Sequence, residues 1–181
     1  MSDEKTRWEA ENPTQAKRHK YCAIYNTAFG EMLISSDGES ITGVRLASIS
    51  SIKTVDSPCR LTDIAATQLE EYSTGQRKTF DLPLNPIGTK FQRYAWANLC
   101  DIPYGETRSY KQVAAATGNP AASRAIGMAN NKNPIMIIIP CHRVIGSNGK
   151  LVGYAGGLPL KKRLLELEQH HKQALPGLLP G

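Results

Sequence analysis

Five consecutive apolar residues, Ile135-Met136-Ile137-Ile138-Ile139, run directly into Pro140-Cys141-His142-Arg143-Val144. A short apolar run rich in β-branched residues reads as a buried strand. Such a strand has to sit inside a core, and it delivers Cys141 at the mouth of a rigid element. A thiol near neutral pH is mostly protonated and is a strong nucleophile only as thiolate. A neighbouring base such as His142 can supply that form. Adjacent residues rarely point the same way, so the dipeptide alone fits a buried structural cysteine beside a surface histidine better than a catalytic pair.

The stretches on either side read as two units. Residues 21–46 alternate apolar and polar around turn signals at Phe29-Gly30 and Asp37-Gly38, the pattern of a β-meander. Thr62 to Tyr72 has helical spacing and is closed by Gly75, and Thr79-Phe80-Asp81-Leu82 reads as one more strand. Residues 84–88, rich in turn formers, read as a linker. Beyond it, Thr89 with Gln92 forms a capping-box pattern ahead of a helix whose expected apolar stripe is Phe91, Tyr94, Ala95 and Leu99. Ser109 with Gln112 opens a second helix that ends near Gly118. Asn119-Pro120 opens a third, with Asn as cap and Pro in the first turn. Two short helices joined by a glycine turn make a helix-turn-helix candidate, although any helix hairpin in a core has the same outline. The third helix is unusual in its side chains. Ala121, Ala122, Ser123, Ala125, Gly127 and Ala129 are all small, and Arg124 is the long charged one. Small side chains bury little area, so this helix is suited to close approach to another surface.

Charge separates the same two halves. Residues 1–85 hold ten Lys/Arg and twelve Asp/Glu, a balance of −2, and residues 86–181 hold twelve and four, a balance of +8. A basic half beside a slightly acidic one fits a polyanion-binding face; a basic surface kept for solubility fits equally. No apolar run approaches the roughly 18 residues that a membrane span needs, and the first twenty residues lack the apolar core of a signal peptide. A cytoplasmic protein with a polar N-terminal arm and no membrane partner is expected. Cys22, Cys59, Cys100 and Cys141 lie far apart with no CxxC pair, which is neither a disulfide framework nor a zinc pattern. No metal and no cofactor are expected.

Taken in order, Ser109-Tyr110, Ala122-Ser123-Arg124-Ala125-Ile126-Gly127, Asn133-Pro134, Pro140-Cys141-His142-Arg143-Val144, Gly153-Tyr154-Ala155-Gly156-Gly157 and Leu164-Leu165 followed by Glu168 closely resemble the O6-alkylguanine-DNA alkyltransferases. The resemblance is near-continuous from Thr89 to Glu168 and weaker from Tyr21 to Leu46. It implies an α/β protein: a small ribonuclease H-like α/β domain (21–83), the linker (84–88), and a mostly helical domain with a winged-helix-like helix-turn-helix (89–171). A polar arm (1–20) and a tail (172–181) flank them. It implies a monomer that binds double-stranded DNA, flips out O6-alkylguanine, mainly O6-methylguanine and also O4-methylthymine, and transfers the alkyl group irreversibly to Cys141. The alternative is a lesion sensor or DNA-binding regulator of the alkyltransferase-like type, which binds without repairing and lacks the reactive cysteine.

The resemblance also implies roles. Cys141 is the acceptor, His142 its base acting through a water, and Glu168 the partner that fixes the imidazole tautomer. Glu168 shares a helix face with Leu164 and Leu165, and a carboxylate on an apolar face is unusual unless paired. Tyr110 assists guanine as leaving group, and Asn133 pins the turn under the site. Arg124 fills the gap left by the flipped nucleotide, on a minor-groove helix where Ala122, Ser123 and Gly127 allow close approach and Tyr110 lies beside the DNA. Pro140, Val144, Tyr154 and Ala155 form the base pocket, with backbone groups at Val144 and Ala155 reading the guanine edge. Arg143 is expected to link the domains.

Overall fold

The computed structural model describes residues 19–49 and 56–173. The expected arm and tail lie outside these residues except for 19–20 and 172–173. The meander is present as β1 (Tyr21–Thr27), β2 (Gly30–Ser36) and β3 (Ile41–Leu46), an antiparallel sheet in that order. Met32, Ile34, Ile41 and Val44 are wholly buried. Across this sheet lies α1 (Arg60–Ser73), whose Ala65, Leu69 and Tyr72 are also wholly buried. The Tyr25 hydroxyl, in contact with Thr62 (2.8 Å) and Asp63 (2.7 Å), ties the helix to β1.

The extra strand expected at Thr79–Leu82 does not form. The Gln68 side chain takes both backbone groups of Asp81, accepting its N–H at 2.9 Å and donating to its carbonyl at 3.0 Å. A backbone satisfied by a side chain has no need of a ladder partner. The free edge of β3 is closed from elsewhere. Ile41 N–H donates to the Pro83 carbonyl and its own carbonyl accepts from Asn85 N–H. Val44 N–H donates to the Pro134 carbonyl, and Met136 N–H donates to the Val44 carbonyl at 3.0 Å. The edge that could otherwise template aggregation therefore docks the second half of the chain.

That half opens with α2 (Lys90–Cys100), capped as its sequence implies: Gln92 N–H reaches Thr89 Oγ1, and Thr89 N–H reaches Gln92 Oε1. Its buried face differs from the expected stripe. Phe91 is 39% exposed, while Ala95, Trp96 and Leu99 are fully buried. The Trp96 indole N–H donates to the Ala129 carbonyl at 2.9 Å. Trp has the larger area to bury and a donor that needs an acceptor, so its position sets the rotation of the helix.

Next come β4 (Arg108–Ser109) and α3 (Tyr110–Ala116), with Ser109 and Gln112 completing a second capping box. Gly118 turns the chain at φ +79, and the Asn119 side chain caps a 3-10 turn over Pro120–Ala122. Then follows α4 (Ser123–Asn131), which packs against α2 and α3. The helix-turn-helix is therefore formed. Finally β5 (Val144–Ile145) pairs in parallel with β4, and α5 (Gly157–Gln173) closes the fold. Pairing of Arg108 with Val144 brings the start of α3 to the residue that follows the Cys141 turn.

The apolar run Ile135–Ile139 is buried as expected, yet it is not a strand. After bridging to Val44, the chain doubles back. Ile138 N–H donates to the Met136 carbonyl, Ile139 N–H donates to the Ile135 carbonyl, and Ile137 lies at φ +71. A β-branched residue in the left-handed region is strained by about 1–2 kcal/mol. Periodicity cannot distinguish this turn from a strand, because both bury every residue.

Candidate active site

The turn is held by one side chain. Asn133, itself buried, accepts from Ile135 N–H at 3.0 Å. Its Nδ2 donates to the Ile139 carbonyl at 2.9 Å and to Cys141 Sγ at 3.1 Å. It therefore offsets the strain at Ile137 and supports the sulfur at the same time. Cys141 begins a 3-10 turn, Cys141–Arg143, and is 3% exposed. Burial pushes its thiol up to about 11, against the Asn133 hydrogen bond and the charge of Lys161, both of which pull it down.

Beside it, the fully buried His142 places Nε2 2.7 Å from Glu168 Oε1. Burial lowers the imidazole pKa, with the Glu168 hydrogen bond opposing. Glu168 is fully buried as well. Burial alone pushes a carboxyl up, but the His142 hydrogen bond and the charges of His142 and Arg143 outweigh it and hold Glu168 at about 2. Glu168 is thus a carboxylate and can only accept, so Nε2 carries the proton of a neutral His142. That tautomer leaves a lone pair on Nδ1, which is buried and has no hydrogen-bond partner among the described residues.

Glu168 is met from four sides. Besides His142, Arg143 Nε reaches both oxygens at 3.0 and 3.1 Å, Gly105 N–H reaches Oε2 at 2.7 Å, and the Tyr72 hydroxyl donates to Oε1. Arg143 also donates to the Ile102 carbonyl at 2.6 Å and lies 5.8 Å from the centre of the Tyr104 ring. Because Tyr72 comes from α1, the N-terminal unit reaches the carboxylate directly. Its hydroxyl is also 3.5 Å from His142 Nε2. Gly105 stands at φ +71, a conformation that glycine adopts readily.

The other expected residues fall into two groups. Tyr110 opens α3, and its hydroxyl donates to the Val152 carbonyl at 3.2 Å. Burial and the nearby Cys141 raise its pKa. Tyr154 stands edge-on to His142 with ring centres 6.5 Å apart, and Pro140 and Val144, which flank the Cys141–Arg143 turn, are buried. Val144 enters this wall with its N–H already donated to the Cys141 carbonyl and its carbonyl accepting from Lys161. Ala155 is exposed. A Cβ at Gly156 would stand 2.8 Å from Leu160 and 3.0 Å from the Tyr154 ring, so the loop is drawn in tightly there. On α4, Arg124 is exposed, Ala122 and Ser123 are half-buried, and Gly127 faces the Tyr110 ring. The structure thus gathers Cys141, His142, Glu168 and Asn133 into one connected cluster. Tyr110 and Tyr154 stand at its side, and Arg124 lies out on the helix surface.

Sequence reasoning missed Tyr72, Gly105 and Lys161. For Lys161 a signal existed: positions 161, 164 and 168 share a face of α5, and all three are fully buried. For Tyr72 and Gly105 there was none beyond a helical stripe and a turn.

Two family models cover most of the chain. One, the 6-O-methylguanine DNA methyltransferase, DNA binding domain, matches residues 90–170. The other, the 6-O-methylguanine DNA methyltransferase, ribonuclease-like domain, matches residues 20–86. The chain is 49% identical over 152 residues to a methylated-DNA--protein-cysteine methyltransferase of Methanosarcina acetivorans, covering 82% of this chain and 97% of that one. To the protein of the same name in Mycobacterium leprae it is 40% identical over 158 residues, covering 83% and 93%. Among solved structures, Mycobacterium tuberculosis OGT in complex with DNA superposes with a TM-score of 0.77 at 41% identity, over 83% of this chain and 94% of that one.

Proposed function

Since the chain belongs to the 6-O-methylguanine DNA methyltransferase family, we propose that Cys141 is the acceptor of an alkyl group taken from O6 of guanine in duplex DNA. The protein is a methylated-DNA--protein-cysteine methyltransferase, and it repairs DNA by direct reversal.

The observation that carries the residue assignment is the cluster in which a buried thiol and a neutral imidazole with a bare Nδ1, on one turn, meet a carboxylate of α5 that is held by four residues. The target carbon cannot be reached inside a base stack, so the nucleotide is extruded at a cost of a few kcal/mol. Arg124, exposed on a helix of small side chains, takes the vacated place in the duplex. The base enters against Tyr154, Pro140 and Val144. The thiol proton passes through a water to His142 Nδ1, and Glu168 stabilises the imidazolium that forms. Sulfur attacks the alkyl carbon in line: an S–C bond forms and the C–O6 bond breaks. Guanine leaves with its electrons and recovers a proton, and the Tyr110 hydroxyl turns from the Val152 carbonyl to assist it. The product is a thioether without a hydrolysable centre, so each molecule acts once. We place this chemistry in a reducing cytoplasm, because an acceptor thiol has to stay reduced.

The test is intact mass before and after mixing with an excess of methylated duplex oligonucleotide. One alkyl group per chain, on the peptide that contains Cys141, is expected. Repeated turnover, or an adduct on Cys22, Cys59 or Cys100, would refute the reading.

A further inference from the structure

Asn130, near the end of α4, is 5% exposed, and neither its Nδ2 nor its Oδ1 has a hydrogen-bond partner among the described residues. Buried side-chain amides are nearly always paired, and one left open at both ends calls for a reason. Packing alone does not supply it. An apolar side chain of the same shape would fill the space without stranding a donor and an acceptor away from water.

The surroundings of the amide do supply one. Gly127 precedes Asn130 by one turn on the same face of α4, and it lets the Tyr110 ring come close: a Cβ there would stand 3.7 Å from that ring. Burial and the nearby Cys141 raise the Tyr110 pKa, and the Asn130 amide pulls the other way. The Asn130 backbone carbonyl accepts from Asn133 N–H at 3.1 Å, so the residue links the tyrosine to the asparagine that holds the Cys141 turn. The Asn133 amide itself is already spent on the Ile139 carbonyl and Cys141 Sγ. The Tyr110 hydroxyl is engaged with the Val152 carbonyl at 3.2 Å and has to leave it to serve guanine.

We propose that Asn130 is a positioning residue for Tyr110: once the tyrosine hydroxyl turns from the Val152 carbonyl to the leaving guanine, Asn130 Nδ2 donates to its oxygen, aims its O–H at the base and stabilises the negative charge that grows there. The inference rests on the roles given above to Cys141 and Tyr110. The protons balance. The thiol proton has gone to His142, Tyr110 gives its own to guanine as the C–O6 bond breaks, and the imidazolium proton returns through water to the tyrosinate. Asn130 neither gains nor loses a proton. Its amide stands open in the free protein because its partner arrives only with the base. A donor that is paired only in the reacting complex stabilises the transition state more than the ground state.

The experiment measures single-turnover transfer from a methylated duplex oligonucleotide for the native protein, Asn130→Leu, Tyr110→Phe and the double variant, with thermal unfolding of each. Leucine has nearly the same volume and needs no partner, so Asn130→Leu is expected to melt no lower than the native protein. Its rate at saturating duplex falls by about tenfold, while its half-saturating concentration does not change. Adding Asn130→Leu to Tyr110→Phe costs nothing further. Carboxamidomethylation of Cys141 by iodoacetamide expels iodide, which needs no proton, and is not slowed. A native rate for Asn130→Leu overturns the proposal. So does an equal loss with and without the Tyr110 hydroxyl, or an equal loss with iodoacetamide. If the leucine variant does not fold, Asn130→Ala takes its place under the same outcomes. Native protein that takes no methyl group on Cys141 refutes the functional reading itself, a result separate from any difference among the variants.

Discussion

Helix α4 and the Cys141 turn are built on opposite terms. On α4 two long side chains stand in solvent, Arg124, which is exposed, and Met128, which is 65% exposed, while Ile126 between them is buried in the core. Around Cys141 the polar groups are buried and committed, and Asn133, His142 and Glu168 are each tied to partners within the cluster. An exposed helix can change its side chains at little cost to the fold. A buried polar network cannot, because each lost partner strands another group away from water. Under the proposed function, recognition on α4 and chemistry at Cys141 are therefore separable, although they meet at Tyr110.

The sharpest way to break that contrast is Cys141→Ala. Transfer to a methylated oligonucleotide should vanish while duplex binding persists, measured by mass and by titration of labelled DNA. Residual transfer would place the acceptor elsewhere. Glu168→Ala comes next, because it leaves Arg143 buried without its carboxylate. A loss of about 3–5 kcal/mol is expected in denaturant unfolding, and a value below 1 kcal/mol would show that the cluster is not committed as described.

Acid should find the same carboxylate. Its pKa is about 2 in the folded protein against an ordinary 4.5, so its contribution is full above about pH 4.5 and is lost as pH falls toward 2. The amount is on the order of 3 kcal/mol. Unfolding free energies measured across that window should decline for the native protein and stay flatter for Glu168→Gln. Parallel curves would remove Glu168 as the cause.

Arg124→Ala tests the other region. Stability should stay within about 0.5 kcal/mol, while inactivation by methylated duplex slows by roughly tenfold or more and inactivation by the free base, which needs no unstacking, does not. Equal losses on both substrates would deny Arg124 its part in holding the flipped state. The smallest effect expected is for Tyr72→Phe, which removes one of several donors to Glu168. A loss of about 1 kcal/mol and slower reaction with free base and duplex alike are expected, and an unchanged rate would make Tyr72 a packing residue alone.

Local chemistry was legible in the chain. Both capping boxes, at Thr89–Gln92 and Ser109–Gln112, formed as read, and so did the meander and the Asn119-Pro120 opening. Each is written within a few residues and needs no distant partner. The errors share a cause. Ile135–Ile139 was read as a strand because burial on all sides looks the same in a turn. Thr79–Leu82 lost its ladder to Gln68, more than ten residues earlier in the chain. Phe91 gave up the core face to Trp96, whose acceptor lies on α4.

The sequence alone, through its resemblance to the family, singled out Cys141, His142, Asn133, Glu168 and Arg124, because each sits in a short motif that the resemblance matches. Tertiary structure alone decided what surrounds them. Tyr72 reaches Glu168 across 96 residues and Gly105 across 63, and Lys161 goes inward while Lys162 and Arg163 stay in solvent. A buried charge needs partners on every side, and a chain can supply only some of them from its own neighbourhood. The rest arrive when separate elements pack together, and no local pattern records which ones those will be.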